Sequence, residues 1–198
     1  MNCKRLLILA YMVVAINIAA ADTDSVSNKA PSRNINDTWM LLTGYGATHP
    51  GLGKTREYVE TVDAVLRYTR KFKDTGRDWY RGSHELLVEL PVSFVIDPDT
   101  APIFAINFLA SWTLRTWQRF LPYCFAGGGP VYTEADIPGM GSKINGNYQA
   151  GCGIRYQTEN GPQFALEYRF HHISNGGFKE PNDPLNSSKV LFGVSLPF

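Results

Sequence analysis

A histidine and a serine two positions apart, His172 and Ser174, form the pair in this sequence best suited to covalent chemistry. A serine hydroxyl becomes an effective nucleophile only when a neighbouring base takes its proton. An imidazole exchanges protons near neutral pH, so it can act as that base and later protonate the leaving alcohol. In a β-strand, residues i and i+2 point to the same face with Cα atoms about 6.5 to 7 Å apart. The pair therefore predicts an ester-hydrolysing site, provided that the segment is a strand.

The segment that carries this pair alternates like a strand with two different faces. One row is mostly apolar and contains Phe164, Leu166, Tyr168, Phe170, His172 and Ser174. The other row is more polar and contains Gln163, Ala165, Glu167, Arg169, His171 and Ile173. His172 and Ser174 should therefore point to the same side as the aromatic residues. His171 should point to the opposite side and serve stability, next to a predicted Glu167–Arg169 charge pair.

Seven further segments have the same character, because aromatic and β-branched residues alternate with clusters of turn residues. The eight predicted strands span residues 39–47, 57–72, 84–96, 103–114, 123–132, 147–157, 163–173 and 189–198. An even number of antiparallel strands can close on itself and remove exposed edges. The sequence therefore predicts an all-β fold, an eight-stranded antiparallel up-and-down barrel over residues 37–198.

The direction of the apolar row distinguishes a membrane barrel from a soluble one, since only a membrane barrel turns its apolar face outward. The last segment repeats the alternation and ends on the terminal Phe198. We therefore favour a transmembrane barrel, with Trp39, Trp112 and Trp117 in the interfacial aromatic girdle. A soluble, lipocalin-like ligand-binding barrel is the alternative, because alternation alone is compatible with both.

The first 21 residues have the features of a secretory signal peptide. Lys4 and Arg5 precede a short apolar run at 6–18, and the small residues at 19–21 offer a cleavage site. The apolar run is shorter than the roughly 20 residues that a membrane-spanning helix needs. We expect cleavage after Ala21, export, and a polar lead over residues 22–36 that is flexible or acts as a periplasmic plug.

Charge and cysteine usage exclude some classes of partner. Loss of Lys4 and Arg5 reduces the basic residues from 19 to 17, against 18 acidic residues, so no nucleic-acid partner is expected. Cys3 leaves with the signal peptide. Cys124 and Cys152 lie in neighbouring predicted strands, where they form either a cross-strand disulfide or two buried free thiols. Their spacing predicts no metal site.

Strand direction gives the depth of the predicted site. With both chain ends in the periplasm, odd-numbered strands run outward, so Ser174 lies at the extracellular end of the seventh strand. Acyl chains meet headgroups at this depth, and an ester-bearing lipid would present its carbonyl there.

Residues 167–188, which read EYRFHHISNGGFKEPNDPLNSS, resemble the active-site region of the lipid A 3-O-deacylases of the PagL type. The resemblance implies an outer-membrane esterase that removes the 3-hydroxyacyl chain from position 3 of lipid A without metal or cofactor. It also implies Ser174 as nucleophile, His172 as general base, and the Asn175 side chain and Gly177 backbone N–H as oxyanion donors. Since members of the family can dimerise, a homodimer is a further expectation.

One position departs from the family pattern. The family has a glutamate twelve residues after the serine, and this chain has Asn186 there. An asparagine can orient an imidazole but stabilises the imidazolium less. Asp183 and Glu180 are the alternatives for the third position. A non-catalytic structural outer-membrane barrel is the alternative function, with the motif vestigial.

Overall fold

The structure is a computed structural model that describes residues 37–74, 82–98, 100–114 and 119–196. The predicted signal peptide, the lead at 22–36, Trp117 and Phe198 lie outside the described residues. No helix among those ranges has the length and hydropathy needed to cross a membrane. The strands are β1 (Asp37–Thr48), β2 (Glu60–Asp74), β3 (Gly82–Asp97), β4 (Pro102–Ala105), β5 (Asn107–Leu114), β6 (Phe120–Thr133), β7 (Ile144–Gln157), β8 (Gln163–Ser174) and β9 (Leu185–Ser195).

Antiparallel pairing runs all the way around the sheet and closes it, because β1 pairs with both β2 and β9. β4 and β5 follow one another along the same line, and each pairs with β3 on one side and β6 on the other. The nine elements therefore form eight barrel strands. The predicted eight-stranded antiparallel barrel is confirmed.

The predicted fourth strand, 103–114, is interrupted at Ile106. The pairing register with β3 and β6 is the same on both sides of the break. Pro91 in β3 and Pro130 in β6 flank it, and proline has no N–H to donate to the ladder. Ile106 still donates its own N–H to the Pro130 carbonyl at 3.2 Å. The missing proline donors account for the break.

The last strand begins four residues earlier than the sequence predicts, at Leu185 and not at Lys189. Residues 185–188 pair with 170–173 of β8, and this pairing sets Asn186 directly opposite His172. Asn186 therefore lies on a strand, where the sequence placed a loop.

The two faces of the barrel differ in polarity as predicted. On β8 the row from Ala165 to Ile173 is buried inside, whereas the row from Phe164 to Ser174 points outward. The outer surface carries large apolar side chains on most strands, including Trp39, Leu41, Leu90, Phe108, Trp112, Ile154, Leu166 and Phe192. A lipocalin-like barrel would have the opposite arrangement, so that alternative is wrong.

A cluster of two arginines and two glutamates fills the middle of the barrel. Arg67 donates through Nε to Glu89 at 2.7 Å and through Nη2 to Glu167 at 2.9 Å. Arg169 reaches the same two carboxylates at 2.8 Å and 2.9 Å, which confirms the predicted charge pair. All four side chains are almost completely buried. Tyr123 donates its hydroxyl to Glu167. The cluster is electrically balanced, and each carboxylate has two cationic partners.

Other layers close the barrel on either side of this cluster. Arg155 pairs with Glu85 at 2.7 Å toward the end where β7 turns into β8. Lys189 pairs with Asp63 at 2.5 Å toward the end where Ser174 lies. An apolar cluster fills that end, with Val59, Val95, Ile103, Val131, Ala135, Ile137, Met140, Ile173 and Leu185. Packed interiors of this kind hold the strand ends rigid.

Cys124 and Cys152 are directly opposite one another on β6 and β7, as expected, and both point outward. They are free thiols, as the second expectation had it, but both are exposed on the outer face, so the expected burial is wrong. The close approach of β6 and β7 near these cysteines explains the glycine at position 128. A Cβ on Gly128 would lie 2.0 Å from the Asn147 carbonyl oxygen, so only glycine fits there.

Because of the buried cluster, we expect substitutions of two glutamates to differ greatly in their effect on the free energy of unfolding. Glu167→Ala leaves two buried arginines with one carboxylate between them, and removing one partner of a buried ion pair costs about 3–5 kcal/mol. Glu159→Ala removes only an exposed pair with Arg119 and should cost less than about 1 kcal/mol. Urea unfolding of the barrel refolded in detergent micelles measures both. Equal effects of the two substitutions would contradict the proposed importance of the cluster.

Candidate active site

Ser174 and His172 lie at the end of β8 on its outward face, and both are partly exposed. His172 Nε2 is 3.0 Å from Ser174 Oγ, which is hydrogen-bond distance. The i, i+2 spacing therefore places the imidazole and hydroxyl together, as the sequence predicted. A hydroxyl and an imidazole are therefore in contact on a surface that faces away from the barrel interior.

The other ring nitrogen of His172 contacts Asn186. Nδ1 lies 2.7 Å from Asn186 Oδ1, and the two residues are cross-strand partners on β8 and β9. Asp183 instead lies 3.3 Å from the Arg56 Nε atom. Of the residues considered for the third position, Asn186 is the one that the structure places against His172.

The partners of Asn186 fix the orientation of its carboxamide. Its Nδ2 group donates to the Leu52 carbonyl at 3.0 Å and to Thr55 Oγ1 at 2.8 Å. A main-chain carbonyl can only accept, so the nitrogen must be on that side and Oδ1 must face His172. His172 then donates from Nδ1–H, which leaves Nε2 unprotonated and able to accept the Ser174 hydroxyl. The hydrogen-bond chain thus selects the tautomer in which His172 can act as a base.

An aromatic ring supports the imidazole from one side. Tyr148 on β7 is the cross-strand partner of His172, and the rings are stacked with centroids 4.3 Å apart and planes 18° apart. Sequence reasoning missed Tyr148, although the pairing of β7 with β8 would have identified it. It also missed Leu52 and Thr55, for which the sequence carries no comparable signal.

The loop that follows Ser174 uses both of the predicted oxyanion donors internally. The Asn175 side chain is buried and donates to the Lys179 carbonyl at 2.7 Å, while its Oδ1 accepts the Gly177 N–H at 2.9 Å. The backbone N–H of Asn175 is held by Asn182 Oδ1 at 3.0 Å. Gly177 has φ +82°, a conformation that favours glycine, so the turn explains this residue. The oxyanion role of Asn175 and Gly177 stays a prediction.

Two depressions lie on the outer surface of the barrel. One, of about 500 Å³, adjoins Ser174 and is lined by Ile144, Gly146, Tyr148, Asn175, Gly176 and Phe178 among others. The second is an apolar groove of about 760 Å³ along β5 to β9, with Trp112, Leu114, Pro122, Cys124, Cys152, Ile154, Leu166 and Val190 in its walls. Both open on the outside of the barrel.

The structure places the other three histidines in different surroundings. His171 is buried in the interior, as predicted from its row. His49 Nε2 is 2.8 Å from Ser188 Oγ, and His84 stacks on Trp112 with centroids 6.0 Å apart. Within residues 37–196, apart from the undescribed gaps, no group of histidine, cysteine or acidic side chains could hold a metal ion.

Comparison with known proteins assigns the chain to a family. The profile of the lipid A 3-O-deacylase (PagL) family matches residues 61–195. The chain belongs to this family. A comparison with curated proteins finds no match.

Solved structures agree on the fold. The crystal structure of the outer membrane enzyme PagL is similar with a TM-score of 0.62 and 19% identity, over 80% of this chain and 99% of that chain. Neisserial surface protein A (NspA) gives a TM-score of 0.59 and 13% identity, over 82% and 97% of the two chains. The family and the barrel fold place this chain in the bacterial outer membrane, where the outward face of the barrel meets lipid.

The geometry predicts a single tautomer for His172. In the ¹⁵N spectrum of histidine-labelled protein in micelles, the neutral ring of His172 should carry its proton on Nδ1 and not on Nε2. A His172→Gln variant identifies the resonances that belong to His172. The tautomer of His84, which stacks on Trp112, serves as the comparison. Protonation at Nε2 would contradict the assigned Asn186 orientation.

Proposed function

We propose that this PagL-family protein is an outer-membrane esterase that removes the 3-O-linked 3-hydroxyacyl chain of lipid A by serine–histidine nucleophilic catalysis. The observation that carries the proposal is the hydrogen-bond chain from Ser174 through His172 to Asn186 on the lipid-facing surface. The position of the family match, which includes all three residues, supports the choice of substrate.

Ser174 acts as the nucleophile and His172 as the general base. As Oγ attacks the ester carbonyl, its proton passes to His172 Nε2, and collapse of the tetrahedral intermediate expels the sugar oxygen, which takes that proton. A water molecule, deprotonated at the same nitrogen, then attacks the acyl-serine. The bond between the acyl carbon and Oγ breaks as Oγ takes the proton back from His172, which regenerates Ser174. The products are a free 3-hydroxy fatty acid and a lipid A molecule with a free hydroxyl at position 3.

Asn186 orients the imidazole through an uncharged hydrogen bond. A carboxylate at this position would also stabilise the positive charge that develops on His172, and an amide does this less well. We therefore expect turnover to be lower than in relatives with a glutamate at this position.

Asn175 and Gly177 are the proposed donors to the oxyanion. In the structure their N–H groups are held by the Lys179 carbonyl and by Asn175 Oδ1. To serve the intermediate, these groups must exchange their present partners for the substrate oxygen. Stabilisation of the oxyanion thus requires an adjustment of the loop after Ser174 on substrate binding.

The surroundings of the pair suit a lipid substrate that arrives from the membrane. The interior is filled by ion pairs and packed side chains, whereas the depression at Ser174 and the apolar groove lower on the same outer face open outward. An acyl chain can lie in the apolar groove while its ester reaches the strand ends. Lipid A and the surrounding outer-membrane lipids are the proposed partners, and a homodimer remains a prediction from the family.

Mass spectrometry of lipid A from cells that express the protein tests the proposal. We expect wild-type protein to release one 3-hydroxyacyl chain per lipid A and Ser174→Ala to release none. Ser188→Ala is the matched control, since Ser188 also points outward and its Oγ is hydrogen-bonded to His49. This variant should retain activity. Intact lipid A in the wild-type sample would favour a non-catalytic structural barrel.

The third position makes a separate prediction. Asn186→Ala should lower ester hydrolysis at least about tenfold, because the imidazole loses the partner that sets its tautomer, whereas Asp183→Ala should have little effect. Steady-state hydrolysis in micelles measures both, with heat-modifiable gel migration as the check on folding. Wild-type turnover in Asn186→Ala would remove this residue from the mechanism.

A further inference from the structure

The loop between β1 and β2 forms a tight unit against Asn186. Within it, the Gly51 backbone N–H donates to the Thr55 carbonyl at 2.9 Å, and the Thr55 backbone N–H donates to the Leu52 carbonyl at 3.2 Å. At the start of the loop, the His49 backbone N–H donates to the Asn186 main-chain carbonyl at 2.8 Å. Residues 51–54 are exposed, but Thr55 is only 2% exposed. A buried threonine in an exposed loop indicates that its side chain has a specific partner.

That partner is Asn186, which Thr55 contacts twice. Thr55 Oγ1 accepts the Asn186 backbone N–H at 3.0 Å and its side-chain Nδ2 at 2.8 Å. The Leu52 carbonyl accepts the second hydrogen of the same amide at 3.0 Å. Every side-chain donor of Asn186 is therefore used by this loop, and its Oδ1 is left for His172.

The loop distinguishes the two ends of the carboxamide. A flipped amide would set Oδ1 against the Leu52 carbonyl, with two acceptors facing each other, and Nδ2 against His172 Nδ1. His172 would then carry its proton on Nε2 and could not accept the Ser174 hydroxyl. A carboxylate at position 186 would meet the same carbonyl with a second oxygen, so this loop fits an asparagine.

We infer that Thr55, together with the Leu52 main-chain carbonyl, is a positioning element of the hydrolytic site, which holds Asn186 as an amide in one orientation and thereby keeps His172 in its basic tautomer. The inference rests on the proposed function for its catalytic consequence. Its structural content, the tautomer of His172, is independent of the substrate.

Thr48 provides a matched control because its hydroxyl holds the base of the same loop through hydrogen bonds to residues other than Asn186. Its hydroxyl donates to the Glu57 carbonyl at 2.7 Å and accepts the Val59 N–H at 2.8 Å. Thr48 is buried to nearly the same extent as Thr55. Loosening of the loop as a whole should follow from either substitution, whereas loss of the amide orientation should follow only from a change at Thr55.

The experiment compares Thr55→Val, Thr55→Ser and Thr48→Val with wild type in detergent micelles. Three quantities are measured: the rate at which a fluorophosphonate probe labels Ser174, kcat and KM for lipid A deacylation, and the ¹⁵N spectrum of His172. For Thr55→Val we expect labelling and kcat to fall about tenfold or more, with KM within about twofold, and the Nδ1–H form to lose its dominance. Thr55→Ser keeps the hydroxyl and should restore both rates, and Thr48→Val should resemble wild type.

Several results would overturn the inference. These are an unchanged His172 spectrum in Thr55→Val, wild-type rates in that variant, or equal losses in Thr48→Val and Thr55→Val. Failure of the proposed function has a different signature: Ser174 of the wild type is labelled but lipid A stays intact. The Thr55 comparison then still decides the inference through labelling. If Ser174 is not labelled at all, the His172 spectrum decides it alone.

Discussion

The four buried charges in the middle of the barrel fix the register of β8. Glu167 and Arg169 are neighbours on the inward face of β8, and their partners Arg67 and Glu89 come from β2 and β3. A slip of one residue in the register of β8 would turn both charges into lipid, where a basic side chain near the middle of the membrane costs about 2–4 kcal/mol. The same slip would turn His172 and Ser174 into the interior. Charges in the core thus determine which way the proposed catalytic pair faces.

Cross-strand pairing then completes the site with residues from distant parts of the chain. His172 lies between Tyr148 on β7 and Asn186 on β9, so one neighbour packs against its ring and the other binds its Nδ1. Asn186 is in turn held by Thr55, 131 positions away in the sequence. Only closure of the barrel, with β1 next to β9, brings that loop to the site. The contacts that join His172, Asn186 and Thr55 are therefore a consequence of the closed sheet and not of local sequence.

This dependence explains what could be predicted from the sequence. Alternation is a local property, so it was sufficient to predict the strands, their faces, the charge pair on β8 and the contact between His172 and Ser174. The predicted start of β9 was four residues too late. Residues 185–188, Leu-Asn-Ser-Ser, show no apolar alternation and form a strand only through pairing with β8. The break at Ile106 depends on Pro91 and Pro130 of two neighbouring strands. Thr55 could not be predicted, because nothing near it in the sequence indicates the amide that it binds.

The proposed mechanism requires the pair to face the lipid, and spin labels on β8 measure this orientation. In a variant with Cys124 and Cys152 replaced by serine, single labels are placed at positions 171 and 172 in lipid vesicles, and relaxation by oxygen, which partitions into lipid, is compared. We expect strong relaxation of the label at 172 and weak relaxation of the label at 171. Strong relaxation at 171 with protection at 172 would contradict this orientation.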